Sequence, residues 1–189
     1  PSLPPGEIIA PTVGEDRAHP EVYHNSFQDA DRFLAGGGMR GRQLQVLVEG
    51  SYFVNRLFAT VEMIPKTVID VGYAGVVVSY TGMSGEDLSG EGYRHGELVA
   101  PGQRGVWSEP LLPGKYAFNT YAGKVVSVPT TNIILKWSRS ESGVHRYDEN
   151  LAEVSLITKD AFEPNLPLSV VIHIDYREAP LVIQRFGDI

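Results

Sequence analysis

Gly102-Gln103-Arg104-Gly105-Val106-Trp107-Ser108-Glu109-Pro110-Leu111-Leu112-Pro113-Gly114-Lys115-Tyr116 sets short apolar runs between turn residues, and much of it occurs twice. A shift of 64 residues lays Gly38-Met39-Arg40-Gly41 on Gly102-Gln103-Arg104-Gly105. The same shift lays Leu47, Gly50, Tyr52, Asn55, Val61, Pro65 and Thr67 on Leu111, Gly114, Tyr116, Asn119, Val125, Pro129 and Thr131, without a gap. Upstream, Gly6-Glu7-Ile8-Ile9-Ala10-Pro11 resembles Gly96-Glu97-Leu98-Val99-Ala100-Pro101 at an offset of 90, so the first copy carries an insertion. A self-match at fixed offset marks a duplicated structural unit. It predicts two units, residues 1–82 with a helical insertion near 26–35 and residues 83–189 leading into a further core.

The local pattern of each copy is β-type. Residues 44–48 and 52–54 flank Glu49-Gly50, and Leu111-Leu112 and residues 116–118 flank Pro113-Gly114, so both copies are expected to form hairpins, the second around a type II turn. Another hairpin is expected where residues 67–70 and 76–81 flank Gly72-Tyr73-Ala74-Gly75, with more strands at 132–137 and 152–157. Residues 168–176 form the longest β-branched run, which predicts a strand half buried in a sheet. In the insertion, Phe27, Ala30, Phe33 and Leu34 share one helical face, with Ser26 expected as N-cap and the glycines at 36–38 as the stop. Residues 138–150 are polar and read as a surface loop, and residues 178–186 as the start of a helix. The fold class is therefore α+β, mainly antiparallel β with short helices.

Sixteen basic residues against 23 acidic ones give a net charge of −7, which opposes a phosphate-binding footprint and argues against a nucleic-acid partner. The absence of cysteine removes thiol chemistry, cysteine-based zinc sites and disulfides. No apolar run approaches the roughly 20 residues needed to span a bilayer as a helix. The chain begins at Pro1 and stops at Ile189 without a tail, so both ends read as cuts within a longer polypeptide.

The motifs of chemical interest have bland readings. Gly36-Gly37-Gly38-Met39-Arg40-Gly41 spells G-x-G-x-x-G, but no strand precedes it and a β-type run follows, so no helix N-terminus is expected to receive a pyrophosphate. His19 and His24 are separated by five residues with Pro20 between them, wrong for a helical metal pair, and read as solvated loop histidines. His173 and Asp175 share a strand face but lack a nucleophile elbow. Asp29 with Asp31, and Glu86 with Asp87, lack the oxygen spacing of a calcium loop. Trp107, Tyr116 and Trp137 read as core. Arg40 and Arg104 occupy equivalent places in the two copies. They read either as an anion contact or, preferably, as duplicated forks that satisfy loop carbonyls or a nearby acid. No catalytic, cofactor or metal residue is assigned, and the chain is expected not to be an enzyme.

Residues 105–111, running into Pro113-Gly114-Lys115-Tyr116, Asn119 and Val128-Pro129-Thr130-Thr131, resemble the signature of the SPFH/band 7 family, in particular its prokaryotic flotillin-like members. Phe27-Gln28-Asp29-Ala30, Phe33-Leu34, Gly37-Gly38 and Arg40-Gly41-Arg42-Gln43 are similar to their N-terminal segment, and Thr158-Lys159-Asp160-Ala161-Phe162 to the family's T-K-D turn. Ala161 stands where a glycine is common, Met39 breaks the first G-Q-R-G, and the helical second half of the domain is absent. The resemblance implies a non-catalytic scaffold that is held to a membrane by a segment outside these residues. It also implies self-association in the full-length protein, organisation of membrane microdomains, and membrane-protein or protease partners. The alternative is a small-ligand or anion-binding β module using Arg40 and Arg104.

Overall fold

Residues 73–79, Tyr-Ala-Gly-Val-Val-Val-Ser, carry apolar or small side chains on both faces, the pattern of a strand covered on both sides. They form the centre of the largest sheet. The computed structural model describes residues 1–3, 9–90, 92, 95–137, 146–148 and 150–187. In chain order the elements are β1 (Ile9–Ala10), α1 (Ala30–Ala35), β2 (Arg42–Gln43), β3 (Thr67–Ile69), β4 (Tyr73–Ser79), β5 (Leu98–Val99), β6 (Gly105–Trp107), β7 (Gly114–Tyr116) and β8 (Gly123–Pro129). Then follow β9 (Ile133–Trp137), a 3-10 turn at Arg146–Asp148, β10 (Val154–Ser155), β11 (Asn165–Leu166), β12 (Leu168–Ile172) and α2 (Ala179–Phe186). This is an α+β chain in which strands predominate.

The main sheet has the order β5-β6-β4-β8, with β4 antiparallel to both β6 and β8 and β5 parallel to β6. Pairing along the whole of β4, from Tyr73 opposite Pro129 to Ser79 opposite Gly123, buries Ala74 and Val76 against Val126 and Val128. Helix α2 closes this core with Ala179 and Ile183, which pack with Leu98 and Val106, while its Gln184 Nε2 donates to the Gly96 carbonyl oxygen at 2.9 Å. Its terminus follows from the sequence: Pro180 sits in the first turn, where its missing N–H costs nothing, and Gly187 follows at φ 82.

The two copies repeat one set of hydrogen bonds. The hydroxyl of Tyr52 donates to the Val48 carbonyl oxygen at 3.1 Å, and that of Tyr116 to the Leu112 carbonyl oxygen at 2.7 Å. Asn55 Oδ1 accepts from the Leu57 N–H, as Asn119 Oδ1 accepts from the Tyr121 N–H. The Gln43 amide reaches the Met39 carbonyl oxygen, and the Trp107 indole reaches that of Gln103. Both units also pair their first two strands in parallel, β1 with β2 and β5 with β6. Here the equivalence differs by one residue from the sequence match. Ala10 and Val99, 89 positions apart, accept from Leu44 and Ser108, because this register buries Ile9 with Ala10 as it buries Leu98 with Val99.

Several local expectations are corrected. No hairpin forms at 44–54 or 111–118, and in each copy the tyrosine hydroxyl closes the turn that a ladder was expected to close. β7 pairs instead with β3, Thr67 opposite Tyr116, and Gly114 has no positive φ, so its turn is not type II. That glycine lies under the Tyr116 ring, as Gly50 lies under the Tyr52 ring. β3 and β4 flank the expected turn but pair elsewhere. The α1 N-cap is Asp29, whose Oδ1 accepts from the Arg32 N–H at 3.0 Å; Ser26 is left-handed, with Asn25 and Phe27, and cannot supply the extended backbone of a cap. Among the described residues β12 pairs only with β9, and it is exposed on both faces rather than half buried. Residues 4–8, 138–145 and 149 lie outside the described residues, and with them the Gly6–Ile8 part of the repeat, His145 and most of the expected surface loop.

Candidate functional site

The two copies of the repeat meet in a polar contact. Asn119 follows β7 at the end of the second copy's tyrosine turn and is buried. Its Nδ2 donates across to the first copy, to the Gln43 carbonyl oxygen at 2.9 Å and to that of Leu44 at 3.2 Å. Two residues on, the Tyr121 hydroxyl donates to Glu62 Oε1 at 2.7 Å, and Arg42 Nη1 donates to Glu62 Oε2 at 2.7 Å. The Arg42 guanidinium lies 3.5 Å from the centre of the Tyr121 ring, a cation–π contact that joins the three side chains into one cluster. The Tyr121 hydrogen bond, then that from Arg42, hold the Glu62 carboxyl below the usual carboxylate range. The contact is polar, directional and partly solvent-facing, and it joins the two copies within the chain.

None of Arg42, Glu62 and Tyr121 was singled out by sequence, because no two of them are equivalent in the repeat. Asn119 was visible as an identity with Asn55, but the role of its amide was not.

The residues that sequence did single out are dispersed. The Arg104 N–H donates to the Met83 carbonyl oxygen and its guanidinium to Ser84 Oγ at 3.1 Å, while the Arg40 N–H donates to the Pro1 carbonyl oxygen at 2.8 Å. Each arginine thus fastens its own unit to the segment bridged to it, Ser2 to Arg40 and Ser84 to Arg104. His19 is exposed beside Asp16 and Glu21, as expected. His24 is not a solvated loop histidine: it is 1% exposed, its Nε2 is 2.7 Å from the Val13 carbonyl oxygen, and its Nδ1 accepts from the Phe27 N–H at 2.8 Å. These partners fix the neutral tautomer with its proton on Nε2. Its ring stacks on Phe27 and meets Phe33 edge-on, so it is the core of the insertion.

His173 and Asp175 are exposed and lie beyond the end of β12, where Asp175 accepts from the Arg177 N–H. Asp29 caps α1 and pairs with Arg32, and Asp87 accepts from the Ser89 hydroxyl and the Leu98 N–H, both structural duties. Trp107, Tyr116 and Trp137 are half-buried. Among the described residues no group of three or more histidine and carboxylate side chains is placed to hold a metal ion. No helix among them is long and apolar enough to cross a membrane.

Strands arranged around a repeated set of hydrogen bonds, a short helix closing the main sheet and a polar seam between the copies describe a β-rich α+β domain. The SPFH domain / Band 7 family matches residues 67–189, and the chain belongs to it. No curated protein and no solved structure matches the chain. The family match begins at β3 and leaves out residues 1–66, whose hydrogen bonds nevertheless repeat those of the second copy. Its members are in general membrane-associated and non-enzymatic.

Proposed function

We propose that the chain is the non-catalytic scaffold part of a membrane-associated SPFH/band 7 protein that self-associates and organises membrane microdomains or holds partner proteins. The observation that carries this reading is family membership over residues 67–189. Attachment to lipid falls to a segment outside these residues, and the partners are membrane proteins or proteases. The Arg104 guanidinium is turned to Ser84 Oγ, which favours the scaffold over an anion-binding module shared with Arg40.

The test is fractionation of cells that produce the full-length protein, followed by light scattering of the detergent-extracted membrane fraction. A many-copy particle in the membrane fraction is expected. A soluble protomer overturns the scaffold reading.

A further inference from the structure

Three successive residues with side chains, Asn25, Ser26 and Phe27, stand at φ 47, 58 and 63. Left-handed residues of this kind occur singly rather than in runs, so something must hold the turn. The holder is His24, whose Nδ1 accepts the Phe27 N–H at 2.8 Å and whose carbonyl oxygen accepts from the Asp29 N–H at 3.1 Å. Its Nε2 is committed as well, donating to the Val13 carbonyl oxygen at 2.7 Å. A second proton can therefore go only on Nδ1, where it would face the Phe27 N–H in place of the lone pair that now receives it.

The surroundings offer that proton no counter-charge. The ring lies among Val13, Gly14, Phe27 and Phe33, all uncharged. On the segments packed around it, Asp29 is engaged with Arg32, Asp16 and Glu21 with His19, and Arg17 with Tyr23, while Glu15, Asp31 and Arg56 are exposed. A charged ring and a closed turn thus exclude each other, because a buried charge needs a partner. The turn also fastens more than itself. Gln28 Oε1 accepts from the Phe53 N–H at 3.0 Å, and the Phe33 ring meets those of Phe27 and Phe58 at 5.5 and 5.6 Å between centres. We propose that the insertion is an acid-released clasp: a proton taken up by His24 frees the turn at 25–27, and with it the hold of Gln28 and Phe33 on residues 53–58, baring the faces of Phe27, Phe33 and Phe58. The clasp is independent of the scaffold reading, since it concerns how the insertion is held to its own copy.

The test is hydrogen exchange of the 189-residue chain at pH 7 and at pH 5, corrected for the change in chemical exchange rate. A proton excluded from the closed state favours the open one by up to about tenfold for each pH unit. Protection at residues 24–33 and 53–58 should therefore fall by at least about tenfold relative to β4. His24→Phe, open more often at both pH values, should show no such step, and His19→Gln should keep it. In the wild-type chain, nitrogen spectra of the His24 ring should show its one proton on Nε2 at pH 7, and the doubly protonated ring at pH 5 only in molecules whose turn has opened. Protection at 24–33 that does not change with pH overturns the proposal, as does a step that survives in His24→Phe or vanishes in His19→Gln. So does a ring that takes up its second proton while the turn stays closed, a result the wild-type chain gives even if the His24→Phe insertion does not fold.

Discussion

Asn119 and Gln43 join the two units through the main chain: the asparagine amide nitrogen stands 2.9 Å from the Gln43 carbonyl oxygen, 76 positions earlier in the chain. The same side chain turns its oxygen inward to the Tyr121 N–H, so one buried amide orders its own loop and binds the neighbouring unit at once. Asn55 does only the first of these things.

Asn119→Ala removes both duties and leaves buried polar groups unpaired, a loss of about 2–3 kcal/mol. Asn55→Ala removes one exposed turn contact and is expected to cost less than about 1 kcal/mol. Urea unfolding of both variants measures the difference. Equal losses would show that the inter-unit bonds contribute nothing.

Glu62 links the seam to pH. Its carboxyl is held below the usual range by Tyr121 and Arg42, so the unfolded chain binds its proton more readily than the folded one. The stabilisation is complete above the ordinary carboxylate pKa of 4.5 and is lost as pH falls through the depressed value. Thermal melts from pH 7 down to 3 should therefore show a loss that Glu62→Gln reduces, the variant being already weakened at pH 7, while the part due to Glu49, held low by Lys66, remains. The group faces solvent, so salt should blunt the effect.

Much of this was legible before the structure, and the parts that were not share a cause. The duplication, the insertion helix and α2 are written in local identity and spacing, which single residues carry. The three hairpins were misplaced because a turn between two β-type runs does not name the partner of either strand; Thr67 pairs with Tyr116 and Tyr73 with Pro129, each far along the chain. Identity also hides equivalence. A glutamine amide at 43 and a tryptophan indole at 107 make the same bond to the carbonyl four residues back, and no comparison of letters shows it. His24 was misread for a related reason, since the groups that bury it come from Val13 and from a left-handed turn at 25–27.

His24→Phe keeps the stacking but leaves the Val13 carbonyl and the Phe27 N–H without partners, so local opening of the insertion should become easier by about 2 kcal/mol. Hydrogen exchange should quicken across residues 13–38 and stay unchanged in β4. Uniform quickening would mean that the insertion does not open as its own unit.

Ala161 sits at φ 62 in the turn where Thr158 and Phe162 hydrogen-bond to each other. A side chain held left-handed costs about 1–2 kcal/mol. Ala161→Gly should accordingly raise stability by about 1 kcal/mol, less the flexibility glycine returns to the unfolded chain. Denaturant midpoints measure it, and an unchanged or lowered midpoint would show that the turn carries no strain.

The insertion bears finally on the order of folding. The parallel pair of the second unit joins Val99 to Trp107 across a short loop, whereas that of the first joins Ile9 to Arg42 around the whole insertion. Closing the longer loop costs about 1 kcal/mol more in chain entropy, and contacts near in sequence form sooner. The second unit is thus expected to condense first and to offer Asn119 and Tyr121 as a ready mould, against which the first unit, though earlier in the chain, sets last.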